Sequence, residues 1–128
     1  MYSWREKCLE YPSIMFGRAV RSARTRASKK SIPFEITKDY VLSLFEQQKG
    51  KCFYSGIKLN VVKEDENMTH DPFKMSLDCV NPDLGYVKGN VVWTAYCVNA
   101  LKQKMSTEKM VDVCRSIVKN ADKKASGR

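Results

Sequence analysis

The chain has 128 residues and a formal net charge of +9, with 43% hydrophobic and 29% charged residues. These numbers suit a single domain that buries a core, and the apolar runs are too short to cross a bilayer. The first residues lack the apolar segment of a secretory signal, so we expect a cytoplasmic protein with no membrane partner. A charge of this size attracts polyanions, of which nucleic acid is the common one.

Five cysteines at wide spacing, without a C-x-x-C motif, argue against a disulfide framework and a four-cysteine zinc site.

A basic helical arm is predicted at residues 13–30, because Pro12 suits an early helix position and Pro33 prevents continuation. Residues 18–30, RAVRSARTRASKK, contain six basic residues and no acid. Arginine suits phosphate because its planar fork donates two hydrogen bonds at once. A phosphate-binding face and a merely solvated helix face both stay open. The lack of acidic neighbours favours phosphate binding, since the like charges otherwise repel one another.

The middle of the chain predicts a helix that ends at Gly50, followed by short extended pieces at residues 51–62. Residues 63–72 are polar and irregular, which is typical of a surface loop. This loop holds the single histidine, His70. A loop histidine is usually solvated, and a role for His70 as an alternative catalytic base stays open.

The segment SLDCVNPDLGYVKGNVVWTAYCVNALK, residues 76–102, predicts two short strands, a glycine-containing turn between them and a helix after them. A further helix is predicted at 106–120 and a flexible tail at 121–128. The expected fold class is therefore α+β, with a β-hairpin packed on a helix at 51–105 and additional helices around it. Residues 1–128 are expected to form one domain.

Three polar residues of this segment stand at positions suited to a site. Asp78 ends the first strand, Asn90 begins the second, and Asn99 lies nine residues further, in the helix. Carboxylate and amide oxygens such as those of Asp78 and Asn99 are hard ligands that suit Mg²⁺ or Mn²⁺. Asn90 is placed to tie the turn through hydrogen bonds to the backbone. Turn chemistry explains the same residues equally well, so spacing alone leaves a metal site and a plain turn open.

Four motifs resemble the ββα-metal core of the HNH nuclease superfamily, in particular a phage-associated branch. They are KCFYSG at 51–56, SLDCVNP at 76–82, GYVKGNVVW at 85–93 and NALK at 99–102. The resemblance implies a metal-dependent endonuclease that acts on double-stranded or branched DNA, in the host cytoplasm if a phage encodes it. It also implies one divalent ion, Mg²⁺ or Mn²⁺. No structural zinc is expected, because the zinc knuckle of some relatives is missing.

The resemblance assigns roles to single residues. Asp78 and Asn99 match the metal ligands, and Gln103 matches a further ligand found in some branches. Asn90 matches the residue that orients the catalytic loop. In the family the metal stabilises the phosphate and the leaving oxygen while a base activates water. The predicted DNA contacts are Arg18, Arg21, Arg24, Arg26, Lys88 and Lys102.

Cys79 follows Asp78 at the position where the family has its water-activating histidine. A thiol with a reference pKa near 8.5 acts as a base only with help from a cation. Three explanations stay open for this catalytic position. Another base, such as His70 or metal-bound hydroxide, replaces the histidine; Cys79 serves as a poor base in a slow enzyme; or the fold has lost catalysis and only binds.

Three functions compete on these grounds. The first is a metal-dependent endonuclease that hydrolyses phosphodiester bonds in DNA. The second is a catalytically impaired DNA-binding module on the same fold, which Cys79 motivates. The third is a small protein-binding factor whose basic face meets an acidic protein. The sequence carries no dimer signature, and it leaves the DNA target open.

Overall fold

A computed structural model describes residues 12–60 and 71–127, with only the backbone for residues 12–15. The described elements are α1 (Pro12–Lys30), α2 (Lys38–Gln47), β1 (Met75–Cys79), β2 (Val91–Ala95), α3 (Tyr96–Lys102) and α4 (Thr107–Ser126). The fold class is α+β, as predicted, with an antiparallel pair of strands among helices. None of the helices in these two ranges is both long enough and apolar enough to cross a membrane.

The helix α1 contributes one face to the core of the domain. Phe16, Ala23 and Ala27 recur at helical spacing, and all three are buried. The ring of Phe16 meets the ring of Phe45 from α2 edge-on at 5.4 Å and that of Trp93 from β2 at 5.6 Å. Burial of this stripe fixes α1 against the hairpin and leaves Arg18 and Arg21 exposed on the opposite side of the helix.

The hairpin pairs Met75 with Ala95 at one end and Cys79 with Val91 at the other. At its centre, Trp93 is fully buried and donates a hydrogen bond from Nε1 to the carbonyl of Val41, 2.7 Å away. The Gln48 amide binds the main chain of Trp93 on both sides: its Oε1 accepts from the backbone N–H and its Nε2 donates to the carbonyl. This side chain therefore bonds both main-chain groups of Trp93 on the outer edge of β2.

One predicted boundary differs from the structure. The C-terminal helix α4 continues to Ser126, whereas the sequence predicted its end at 120 and a flexible tail at 121–128. Its last residues are mostly alanine and lysine, which favour a helix until Gly127. The extended pieces predicted at 51–62 form isolated pairings, of Lys51 with Lys58 and of Asn60 with Lys74. Residues 61–70, which include His70 and most of the predicted loop, lie outside the described ranges.

Candidate functional site

The candidate site lies between β1 and α3. Successive side chains of a strand point to opposite faces, so Ser76 and Asp78 face one side of the hairpin and Cys79 the other. The helix α3 contacts both strands, and its Asn99 and Lys102 meet the Ser76 and Asp78 side chains. It follows β2 without a loop, because Ala95 is both the last residue of the strand and the N-cap of the helix. This direct connection holds α3 against β1.

Asp78 forms an ion pair with Lys102, the last residue of α3. The Lys102 Nζ lies 3.3 Å from Asp78 Oδ2, and the Tyr54 hydroxyl donates to the same oxygen at 2.7 Å. The exposed fraction is 7% for Asp78 and 0% for Lys102. Burial, and then the hydrogen bond to Asp78, raise the pKa of Tyr54, so its hydroxyl stays a donor. The carboxylate is thus held by one cation and one neutral donor.

Lys102 has two further contacts that make its burial possible. Its Nζ donates to the carbonyl of Cys79 at 3.1 Å and lies 6.0 Å from the centroid of the Tyr54 ring. A buried ammonium is costly unless it is paired and hydrogen-bonded, and both conditions hold here. The sequence predicted Lys102 as a DNA contact. The structure corrects this prediction, because a fully buried ammonium presents no charge to a phosphate outside.

Asn99 fastens α3 to the first strand. Its Nδ2 donates to the hydroxyl of Ser76 at 2.9 Å and to the carbonyl of Leu77 at 3.3 Å. The structure therefore brings Asn99 to the same face of β1 as Asp78. Gln103, the further ligand that the resemblance implied, follows the end of α3 with a positive φ of 47° and an exposed side chain.

Asn90 closes the turn between the two strands. Its Oδ1 accepts from the backbone N–H of Asn81 at 2.9 Å. Its Nδ2 donates to the carbonyl of Asn81 at 2.9 Å and to that of Gly85 at 2.8 Å. One buried amide therefore satisfies three backbone groups of the turn, which is the hydrogen bonding expected from its position. A catalytic role for Asn90 stays a prediction.

The turn is also anchored to the segment after α1. The Tyr86 N–H donates to the carbonyl of Pro33 at 2.9 Å, and the Glu35 N–H donates to the carbonyl of Tyr86 at 2.8 Å. Gly85 has a φ of 79°, and a Cβ added there would lie 2.6 Å from the Pro33 oxygen. Only glycine allows this approach of the two backbones.

Arg26 is part of this anchoring and is half-buried. Its Nε donates to the Tyr86 hydroxyl at 3.0 Å, and its Nη2 donates to the carbonyl of Leu77 at 3.3 Å. Two of its donors are therefore used inside the protein. The sequence predicted Arg26 as a DNA contact; the structure instead uses it to join α1, β1 and the turn.

The other predicted DNA contacts are exposed. Arg18 and Arg21 lie on the side of α1 opposite its buried stripe. Among the described residues, no carboxylate is within ion-pair distance of either. Arg24 and Lys88 are exposed too, each beside an aromatic ring. These four side chains are free to meet a polyanion.

Cys79 points away from Asp78, into the hydrophobic core. Burial, and then the charge of Asp78, raise the pKa of its thiol to about 11. The positive charges of Lys102, Arg26 and Lys30 act in the opposite direction and do not offset this shift. Cys79 is therefore a neutral thiol at physiological pH and is unsuited to act as a general base.

The side chains as arranged do not fit a divalent metal ion. The Asp78 charge is already matched by Lys102, and the Asn99 amide nitrogen is turned toward the strand. Within 12–60 and 71–127, no group of three His, Cys, Asp or Glu residues is placed to hold a metal. A Mg²⁺ or Mn²⁺ ion ligated by Asp78 and Asn99 stays a prediction, and it requires Lys102 to leave its present position.

Sequence reasoning missed the role of two residues. Tyr54, within KCFYSG, carries no signal of its contact with Asp78, because that contact joins distant parts of the chain. Lys102 gives a weak signal, since it lies three residues after Asn99 on a helix.

No known protein-family model, no curated protein and no solved structure matches this chain.

Proposed function

We propose that this protein binds DNA through the exposed face of α1 and does not hydrolyse it. The observation that carries the proposal is the buried ion pair of Lys102 with Asp78. Hydrolysis by a nuclease of the ββα-metal type needs a metal at the acid and a base beside it. In this chain the Lys102 ammonium pairs with Asp78, and the buried thiol of Cys79 occupies the position at which the base is expected.

The binding half of the proposal rests on charge and rigidity. The chain carries a net charge of +9, and α1 presents Arg18, Arg21 and Lys29 on one exposed side. The opposite side of α1 is packed in the core. DNA binding by these groups therefore does not require a flexible segment to become ordered. Contacts of this kind go to phosphate and position DNA without reading its sequence.

The test combines binding with cleavage. Anisotropy of a labelled duplex of arbitrary sequence should show binding that weakens steeply as salt rises, because counterions released from DNA drive the association. The same protein should leave supercoiled plasmid intact in Mg²⁺ and in Mn²⁺. Failure to bind any duplex at low salt would overturn the proposal and favour an acidic protein as the partner.

A metal-dependent endonuclease is the second candidate, and one observation favours it. Asp78 and Asn99 lie on the same face of the hairpin, beside a turn that Asn90 holds in place. Cleavage would require Lys102 to withdraw and a base from elsewhere, such as His70. Nicking that depends on Mg²⁺ or Mn²⁺ and disappears in a folded Asn99→Ala variant would establish this function. Circular dichroism must show that the variant keeps its fold.

A further inference from the structure

The surroundings of the Lys102 ammonium are those of a hard cation. Its Nζ forms an ion pair with a carboxylate oxygen of Asp78, at 3.3 Å, and donates a hydrogen bond to the main-chain carbonyl of Cys79, at 3.1 Å. Both are oxygen donors of the kind that Mg²⁺ and Mn²⁺ prefer. The ammonium is fully buried and the Asp78 side chain is 8% exposed, so little water reaches this contact.

We propose that Lys102 takes the place of a divalent cation, and that removing its side chain opens a site for Mn²⁺ at Asp78. The pocket between β1 and α3 is then a cation site that the chain fills with its own side chain. This inference does not depend on DNA binding, because it concerns only which cation neutralises Asp78.

Loss of the ammonium would remove the positive charge that neutralises the Asp78 carboxylate. Asp78 would keep the hydrogen bond from Tyr54 but would be a buried carboxylate without a counter-charge. Such a group is strongly unfavourable unless it is neutralised by a proton or a cation. Truncation of Lys102 to alanine also vacates the space of the lysine stem. Carboxylate, carbonyl and water oxygens suit Mn²⁺ as they suit Mg²⁺, so Asp78, the Cys79 carbonyl and water in the vacated space would be its ligands.

The experiment measures binding of Mn²⁺ by the loss of the free-ion signal in electron paramagnetic resonance, in the absence of DNA. Lys102→Ala should bind one Mn²⁺ per chain about tenfold or more tightly than the wild type. Its melting temperature should rise with Mn²⁺ concentration, because the ion binds the folded state. Two controls should lose this gain: Lys102→Arg, which keeps the positive charge, and Lys102→Ala combined with Asp78→Asn, which removes the carboxylate.

The wild type provides an independent arm of the test. The wild type should bind no more Mn²⁺ than Asp78→Asn does. If the wild type binds Mn²⁺ at a site that Asp78→Asn abolishes, the proposal is overturned. A folded Lys102→Ala variant that gains no Mn²⁺ site would overturn it as well. If Lys102→Ala is unfolded without metal, the same titration is made with Lys102→Gln. Folding of either variant on addition of Mn²⁺ supports the proposal, and two variants that stay unfolded in excess Mn²⁺ refute it.

Discussion

The Nζ of Lys102 lies 3.3 Å from Oδ2 of Asp78, and both side chains are buried between α3 and β1. This ion pair occupies the part of the molecule where the sequence predicted a metal. It also affects how the loss of activity in any Asp78 variant is interpreted. Removal of the carboxylate leaves a buried ammonium without a partner, so lost activity in Asp78→Ala can reflect a damaged fold.

A double-mutant cycle should reveal the coupling of these two residues. Asp78→Asn and Lys102→Met should each lower the free energy of unfolding by about 3–5 kcal/mol, since each leaves one buried charge unpaired. The double variant should lose clearly less than the sum, because no charge is left in the pocket. Urea unfolding measures all four proteins without adding salt, and strictly additive losses would contradict the buried pair.

Stability at alkaline pH should depend on Cys79. Its thiol pKa is raised to about 11 in the folded protein, so the folded state holds its proton more tightly than the unfolded chain. The resulting stabilisation is complete below the unfolded pKa, near 9, and is lost as pH rises through 11. Between about pH 9 and pH 11, the free energy of unfolding should fall by about 2 kcal/mol more in the wild type than in Cys79→Ala. Parallel pH profiles of the two proteins would show that this thiol titrates normally.

The basic face of α1 should control DNA affinity. Arg18→Gln and Arg21→Gln should each weaken binding to all duplexes alike and reduce the salt slope of log K by about one. Arg115→Gln is a control for net charge, because Arg115 is exposed as well but lies 3.5 Å from Asp112, on α4. Equal losses in all three variants would show that net charge, and not this face, determines binding.

The turn between the strands should depend on one amide. Asn90→Ala removes three hydrogen bonds and leaves three backbone groups of the turn without this partner. We expect a loss of about 2–4 kcal/mol in unfolding free energy. Asn81→Ala is the control, because the one hydrogen bond of its side chain within the described ranges is exposed and comes from the Asp83 N–H. Urea midpoints compare the two, and a larger effect in Asn81→Ala would contradict the assignment.

Two glycines of this turn should respond differently to the same substitution. Gly85 and Gly89 have similar positive φ values, 79° and 86°, so alanine strains the backbone at both, by about 1–2 kcal/mol. An alanine Cβ at Gly85 meets the backbone of Pro33 at 2.6 Å, whereas at Gly89 it meets nothing within 4 Å. Thermal unfolding should therefore show a lower melting temperature for Gly85→Ala than for Gly89→Ala. Equal melting temperatures would mean that the turn does not approach Pro33 this closely.

Local signals in the sequence predicted most of the secondary structure. Pro12 stands at the start of α1, Ser106 caps α4 through the Lys109 N–H, and turn residues separate the two strands. Each of these features depends on neighbours within a few positions, where residue type largely decides the backbone. For the same reason Asn90 could be recognised as a turn-tying residue before its three hydrogen bonds were known.

The sequence by itself therefore determined the α+β class, the order of the elements and the excess of positive charge. Only the tertiary structure decided which charges are free: Lys102 and Arg26 are turned inward, while Arg18 and Arg21 stay exposed. The physical reason is that the partner of a side chain depends on how α3 and α1 pack on β1. That packing joins residues far apart in the chain, and residue type alone does not predict it.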